Sequence, residues 1–353
     1  MPSNDRARGA LYGLAIGDAL GMPTQMLSRR QIVDRWGPLL TGFEPAPPDH
    51  PIAAGMPAGA VTDDTEQAIL LAQLLLNGHG GHGGHGGVDP RAWASALVGW
   101  ERDMAARGSL DLLGPSTKRA IEAVLAGTPP EEAGASGDTN GAAMRIAPVG
   151  IATPAEPLAV LVDQVQQASR VTHNTSIALA GAAAVAAAVS AGVAGASVAT
   201  ATNGAIAAAR MAAGRGHWVA GADVAARIRW ATGLAADRAP DGAPDGAAEV
   251  IGTLVGTSLA TQESVPAAFA VLSAVPDDPW RACLLAASLG GDCDTIAAMA
   301  GAVGGACHGL AAFPPHAIAV IDSHGFGLTE LADSLCALRY SADPGGRPPE
   351  PLT

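Results

Sequence analysis

Two short segments of this 353-residue chain concentrate oxygen donors where chemistry could use them. Val61-Thr62-Asp63-Asp64-Thr65-Glu66 opens one apolar helical run, and Gly290-Gly291-Asp292-Cys293-Asp294-Thr295 opens another. Each has a plain structural reading. Thr or Asp at a helix N-cap accepts backbone N–H bonds, and acidic residues in the first turn complement the helix dipole. The Asp63–Glu66 spacing even mimics a capping box. Capping occupies only part of each cluster, however, and leaves further carboxylates without a task. Carboxylates at i and i+2 with a hydroxyl at i+3 suit a hard cation with oxygen ligands. An EF-hand loop does not fit, because oxygen ligands must continue to a Glu at its twelfth position and the following stretch is IAAMAGAVG. A DxDxT nucleophile motif does not fit either, since the spacing is DCDT after a helix rather than a strand. Together the clusters offer four aspartate carboxylates and at least two hydroxyls at two helix starts, enough for a two-metal site if those starts face each other. Without cations, that much negative charge in a small volume would repel itself.

Three further segments carry candidate residues. Gly9 to Pro23 (GALYGLAIGDALGMP) is a small-residue helix ending in a Gly-Met-Pro turn, with Asp18 as a capping candidate. Ser136 to Arg145 (SGDTNGAAMR) is a Gly-containing loop leading into Ile146-Ala147-Pro148, and exposed backbone amides there could cradle a ribose or diphosphate. Ser169 to Asn174 (SRVTHN) precedes an Ala-rich run; a lone histidine such as His173 is more often a cap or a buried hydrogen-bonder than a catalyst. Cys283, Cys293, Cys307 and Cys336 form no CxxC pair and no spacing that suggests a metal site or a disulfide framework.

The elements that must position these residues are helices. The chain is 48% hydrophobic but 3% aromatic, with 45 glycines, so its core is filled by Ala, Val and Leu and its helices can approach closely. Helical periodicity with start signals runs through 8–20, 65–76, 90–107, 116–126, 157–169, 175–190, 197–213, 222–236, 247–261, 265–274, 279–288, 295–309 and 328–340. No alternating β-branched run bounded by turn pairs occurs. The expected fold is all-α, a single many-helix bundle over residues 1–343 with a disordered tail at 344–353 (PGGRPPEPLT). Glu44–Pro57 reads as an extended loop, Asn77–Gly87 (NGHGGHGGHGG) as a flexible insertion rather than a metal-scavenging tract, and Ala239–Ala247 (APDGAPDGA) as a mobile loop. Ser176–Ala209 holds no charge and is long enough to span a bilayer, but it lacks Leu, Ile and Phe to drive insertion and reads as a buried helix pair broken near Gly192–Gly195. The N-terminus shows no sustained apolar leader, which makes the cytoplasm the expected location. A net charge of −13 argues against nucleic acid as a partner, though bound divalent cations would still admit a phosphate-bearing substrate.

GALYGLAIGDALGMP, VTDDT, NGAAMRIAP, SRVTHN and GGDCDT, in that order and spacing over roughly Arg8 to Leu310, resemble the ADP-ribosylglycohydrolase family. The resemblance implies an orthogonal all-α bundle with a binuclear Mg²⁺ or Mn²⁺ centre. Carried over by motif, Thr62, Asp63 and Asp64 would bind one side of that centre and Asp292, Asp294 and Thr295 the other. Asn140, Gly141, Ala142 and Met144 would line the ribose–diphosphate cleft, with Gly291 and His173 nearby. Two positions depart from the family pattern: Gln25 stands where a Glu is common, and Cys293 where Thr is usual. Gln can hydrogen-bond but cannot act as a base, so Asp63 or Asp292 is expected to take the proton of a metal-activated water attacking ribose C1. The implied substrate is an ADP-ribosylated protein. Fold and motif do not fix the leaving group, so small ribosides such as nucleosides, or ADP-ribose esters, form the second reading. An inactive ADP-ribose-binding module is the reading from another class, motivated by Gln25. A monomer is expected.

Overall fold

The computed structural model describes residues 2–78, 88–107, 113–238 and 244–341. The chain opens with α1 (Pro2–Gly21) and α2 (Arg29–Trp36), and α3 (Asp63–Gly78) starts at the first acidic cluster. α4 (Pro90–Ala106) and α5 (Pro115–Leu125) lead into three short helices, α6 (Pro130–Ala133), α7 (Gly141–Met144) and α8 (Ala147–Ala152). α9 (Leu158–Ser169), α10 (Ser176–Val193), α11 (Val198–Ala212), α12 (Val224–Arg238) and α13 (Pro244–Val250) follow. The chain continues through α14 (Thr261–Ala274), α15 (Pro279–Ala287), α16 (Cys293–His308), α17 (Pro315–Asp322) and α18 (Leu328–Ser341). Among the described residues there is no β-strand, so the all-α expectation holds.

Local chemistry sets many of the helix starts. Asp89, Thr175, Ser197 and Asp278 each accept the third backbone N–H of the helix they precede, and prolines open α4, α5 and α15, where the missing N–H costs nothing. Ser28 and Gln31 form a reciprocal capping box on α2.

The packing that matters most for the site is the seam between α1 and α16. Gly9, Gly13, Gly17 and Gly21 recur every fourth residue and share one face of α1. On α16, Gly301 and Gly305 answer them. A Cβ added at Gly13 would stand 2.7 Å from the Gly301 carbonyl carbon, and one at Gly9 would stand 2.7 Å from the Gly309 carbonyl carbon. The two backbones therefore touch without intervening side chains. At the end of the seam a Cβ on Gly21 would lie 2.6 Å from the Asp294 amide nitrogen, so this contact sets the last turn of α1 against the second acidic cluster.

α10 forms the centre of the bundle. By length and composition it could cross a membrane, yet 94% of it is buried inside the fold, packed against α8, α11 and α16. The break expected near Gly192–Gly195 falls between Val193 and Val198. All four cysteines are buried free thiols.

Several expectations need correction. Helices α2, α6, α7, α8 and α17 lie in segments with too few residues for periodicity to register. The helix expected over 247–261 instead begins at Pro244 and passes at Ile251 into a π-helical turn that ends at Val255; Gly256, with φ 90°, stops it. Pro244–Ala247, expected as loop, is thus a helix start, for which a leading proline is suited. Residues 79–87 of the Gly-His tract, residues 239–243 of the Pro-Asp-Gly repeat and the 344–353 tail lie outside the described residues.

Candidate active site

Asp18 organises the first acidic cluster from outside it. Its fully buried carboxylate accepts the Thr62 N–H at 3.0 Å, the Thr62 hydroxyl at 2.7 Å, the Thr65 N–H at 3.1 Å and the Thr65 hydroxyl. Asp18 therefore caps α3, not the helix on which it sits. Because Thr62 spends its proton on Asp18, its oxygen lone pairs face away from that bond, as a neutral metal ligand requires. Burial raises the Asp18 pKa to about 6, against the pull of these four donors.

Asp63 and Asp64 then project from the first turn of α3. Asp63 is half-buried and accepts 2.8 Å from the Gln67 amide one turn on. Asp64 is buried, and its Oδ2 accepts the Thr295 hydroxyl across the site at 3.2 Å. Its Oδ1 is buried with no hydrogen-bond partner. Burial first, then the charges of Asp63, Asp18, Asp294 and Asp292, push the Asp64 pKa well above the usual carboxylate range.

The second cluster is aimed by backbone. Gly290 and Gly291 take φ of 83° and 72°, conformations that exclude most side chains. Gly291 exchanges bonds with the turn after α1, its N–H donating to the Leu27 carbonyl at 2.9 Å and its carbonyl accepting from Met26 at 2.7 Å. The Asp292 N–H donates to the Thr257 carbonyl at 2.7 Å. Asp292 accepts the Asn140 side-chain amide, which also donates to the Ser264 hydroxyl at 3.0 Å, and burial raises the Asp292 pKa to about 6.

These walls enclose a pocket of about 160 Å³. Of the residues expected at the site, Gln25, Asp63, Asn140, Gly141, Met144, Asp292, Asp294 and Thr295 line it. Thr62 and Asp64 stand behind the α3 wall. Ala142 faces the core, Gly291 acts through its backbone, and His173 is wholly buried behind the loop, where a Cβ on Gly141 would stand 2.9 Å from its ring. Among the described residues no three carboxylate, imidazole or thiol groups converge as a ready-made ligand cluster; the acids approach from two helix starts. None of the described lining residues is Lys, Arg or His.

Four contributors escaped the sequence reading. Gln67 orients Asp63, and its spacing of four from Asp63 was the available signal. Arg145 is buried, stacks over the Trp93 ring at 5.2 Å, and donates to the Gln67 carbonyl oxygen and, at 2.7 Å, to the Thr172 hydroxyl. Burial lowers its pKa to about 10 while Asp63 and Asp64 oppose that shift. Thr139 lines the pocket, and His50, with its Nε2 2.9 Å from the Gln25 carbonyl oxygen, braces that turn.

The chain is similar to known proteins over most of its length. It is 36% identical over 319 residues to an uncharacterized protein of Escherichia coli K12, YegU, covering 90% of this chain and 92% of that one. It is 32% identical over 185 residues to the ADP-ribosylarginine hydrolase Tri1 of Pseudomonas putida, covering 50% of this chain and 43% of that one. A solved structure described as an ADP-ribosylglycohydrolase-related protein complex superposes with a TM-score of 0.64 at 25% identity, over 95% of this chain and 98% of that one. With the family model described as ADP-ribosylglycohydrolase matching residues 1–345, the chain belongs to the ADP-ribosylglycohydrolase family of enzymes.

Proposed function

We propose that this enzyme hydrolyses the bond at ribose C1 of an ADP-ribosyl compound with the help of two Mg²⁺ or Mn²⁺ ions. Thr62, Asp63 and Asp64 would hold one side of the centre and Asp292, Asp294 and Thr295 the other. The observation that carries the reading is the pocket that gathers Asp63, Asp292, Asp294 and Thr295 against the Asn140–Gly141 loop. The donor set fits hard divalent cations: it is all oxygen, Asp64 Oδ1 is buried without a partner, and no basic side chain among the described lining residues offsets the acids. When bound, the cations supply a hold on the ribose 2- and 3-hydroxyls and a polarised water.

The protein's own groups do the rest. Asp18 keeps the Thr62 proton turned inward, Gln67 holds Asp63, and Asn140 holds Asp292. Asp63 or Asp292 accepts a proton as the water oxygen bonds to C1, the C1–leaving-group bond breaks with its electrons, and that proton passes to the leaving group. The transition state is oxocarbenium-like.

The test is hydrolysis of ADP-ribosyl-arginine, ADP-ribosyl-serine, O-acetyl-ADP-ribose and several nucleosides with Mg²⁺, with Mn²⁺ and with EDTA. Turnover of at least one ADP-ribosyl compound, abolished by EDTA and reduced about 10²- to 10⁴-fold in Asp292→Asn, is expected. Wild-type-like turnover by that variant, or activity indifferent to EDTA, would refute the mechanism. A small riboside is the second reading; release from nucleosides alone would select it. ADP-ribose binding without any turnover would make the chain a binding module.

A further inference from the structure

A chain of buried hydrogen bonds runs behind the pocket and begins and ends on its wall. From Asp63 it passes to Gln67 at 2.8 Å, then to Arg145, to Thr172 at 2.7 Å, to His173 at 2.8 Å and to Thr139 at 3.0 Å. Both Asp63 and Thr139 line the pocket, whereas Gln67, Arg145, Thr172 and His173 are buried at 1% exposure or less.

The polarity of this chain follows from one residue. A guanidinium has only donors, so Arg145 donates both ways. On one side Gln67 receives at its carbonyl oxygen and must turn its amide N–H toward Asp63. On the other, Thr172 receives at its oxygen, and among the described residues His173 Nδ1 is the one acceptor bonded to its hydroxyl. The opposite tautomer would strand a buried hydroxyl proton without an acceptor. His173 is therefore neutral with its proton on Nε2, and that N–H donates to Thr139 Oγ1. Burial and the Arg145 charge, which hold the His173 pKa well below 6.5, support the neutral form.

We propose that Arg145, through Thr172 and His173, positions Thr139 as a hydrogen-bond donor to an oxygen of the bound substrate. His173 is the only protein partner of the Thr139 hydroxyl among the described residues, so the Thr139 proton remains available on the pocket side. Thr139 itself is held in place: the Thr261 hydroxyl donates to the Asp138 carbonyl at 2.8 Å, and the Asn140 N–H donates to the Leu259 carbonyl at 3.0 Å. The acceptor is a ribose or phosphate oxygen, which rests on the ribosyl substrate proposed above.

Two measurements test this. Nitrogen-15 NMR of histidine-labelled protein reads the His173 tautomer without any ligand; a neutral Nε2–H ring from pH 6 to 8 is expected, and an Nδ1–H ring overturns the proposal. Calorimetric titration of ADP-ribose with Mg²⁺ then compares variants. Thr139→Val is expected to bind about fivefold more weakly, the equivalent of one hydrogen bond, while Thr139→Ser stays within about twofold of wild type. Equal affinities for wild type and Thr139→Val, or equal losses in both variants, overturn it. A loss that persists with ADP, which lacks the terminal ribose, assigns the acceptor to phosphate, and one confined to ADP-ribose assigns it to that ribose. If wild type binds neither ligand, the substrate reading fails, while the tautomer result still judges the hydrogen-bond chain.

Discussion

Replacing Gly13 by alanine sets a local gain against a packing loss at the α1–α16 seam. Alanine favours a helix interior over glycine by about 1 kcal/mol. Its Cβ, however, would stand 2.7 Å from the Gly301 carbonyl carbon, where ordinary contact begins at 3.4 Å, a shortfall of 0.7 Å. The obstacle is backbone inside a helix, so it cannot swing aside as a side chain would, and relief requires the helices to separate. Overpacking of this kind costs about 1–3 kcal/mol, and the rigid obstacle argues for the upper end. The net expectation is a loss of about 2 kcal/mol, or a melting temperature lower by roughly 3 °C in a chain of this size. Gly204→Ala is the control: it sits within α11 with nothing within 4 Å of the added Cβ, so propensity acts alone and the melting temperature should rise by about 1–2 °C. Thermal unfolding of both variants beside wild type is the assay. If Gly13→Ala melts at or above wild type, or both variants shift in the same direction, the close-contact reasoning is wrong.

Asp18→Asn removes the charge that four donors from α3 share; we expect a loss of about 2 kcal/mol in chemical denaturation and weaker Mn²⁺ binding by titration, and unchanged values for both would discount its capping role. His50 is buried with Nδ1 accepting the Ala53 N–H at 2.8 Å and Nε2 bonded to the Gln25 carbonyl, and burial lowers its pKa below 6.5. The unfolded chain therefore takes up the proton first as pH falls, so this residue's contribution is present near pH 7 and is lost on acidification below about 6.5. His50→Gln should show a smaller drop in melting temperature between pH 7 and pH 5 than wild type; an equal drop would remove His50 from the account.

How much of this was legible in the sequence depended on whether a residue's task was local. Asp89 and Ser197 cap the helices beside them, so their role follows from position alone. The two acidic clusters stood out because capping left oxygens over, and they do meet at one pocket. Asp18 was legible as a cap but not as the cap of α3, because its partners lie 44 and 47 residues away. Arg145 is 78 residues from Gln67 and 27 from Thr172, and no periodicity marks a guanidinium whose partners come from two other segments. The family resemblance alone places His173 near the cleft; burial behind Gly141 is a property of loop packing that spacing does not encode.

The glycine seam also bears on how the molecule comes into being. It joins residues 9–21 to residues 294–309, so α1 finds its backbone partner only after the more than 250 residues between them have been synthesised. Closing so long a loop is entropically slow, and contacts this distant in sequence delay folding. Until then the seam face of α1, which carries almost no side chain, stays without the backbone it fits. Both acidic clusters consequently acquire their relative placement in a late event of assembly. A nascent chain stopped before α16 would carry Thr62, Asp63 and Asp64 with nothing opposite them.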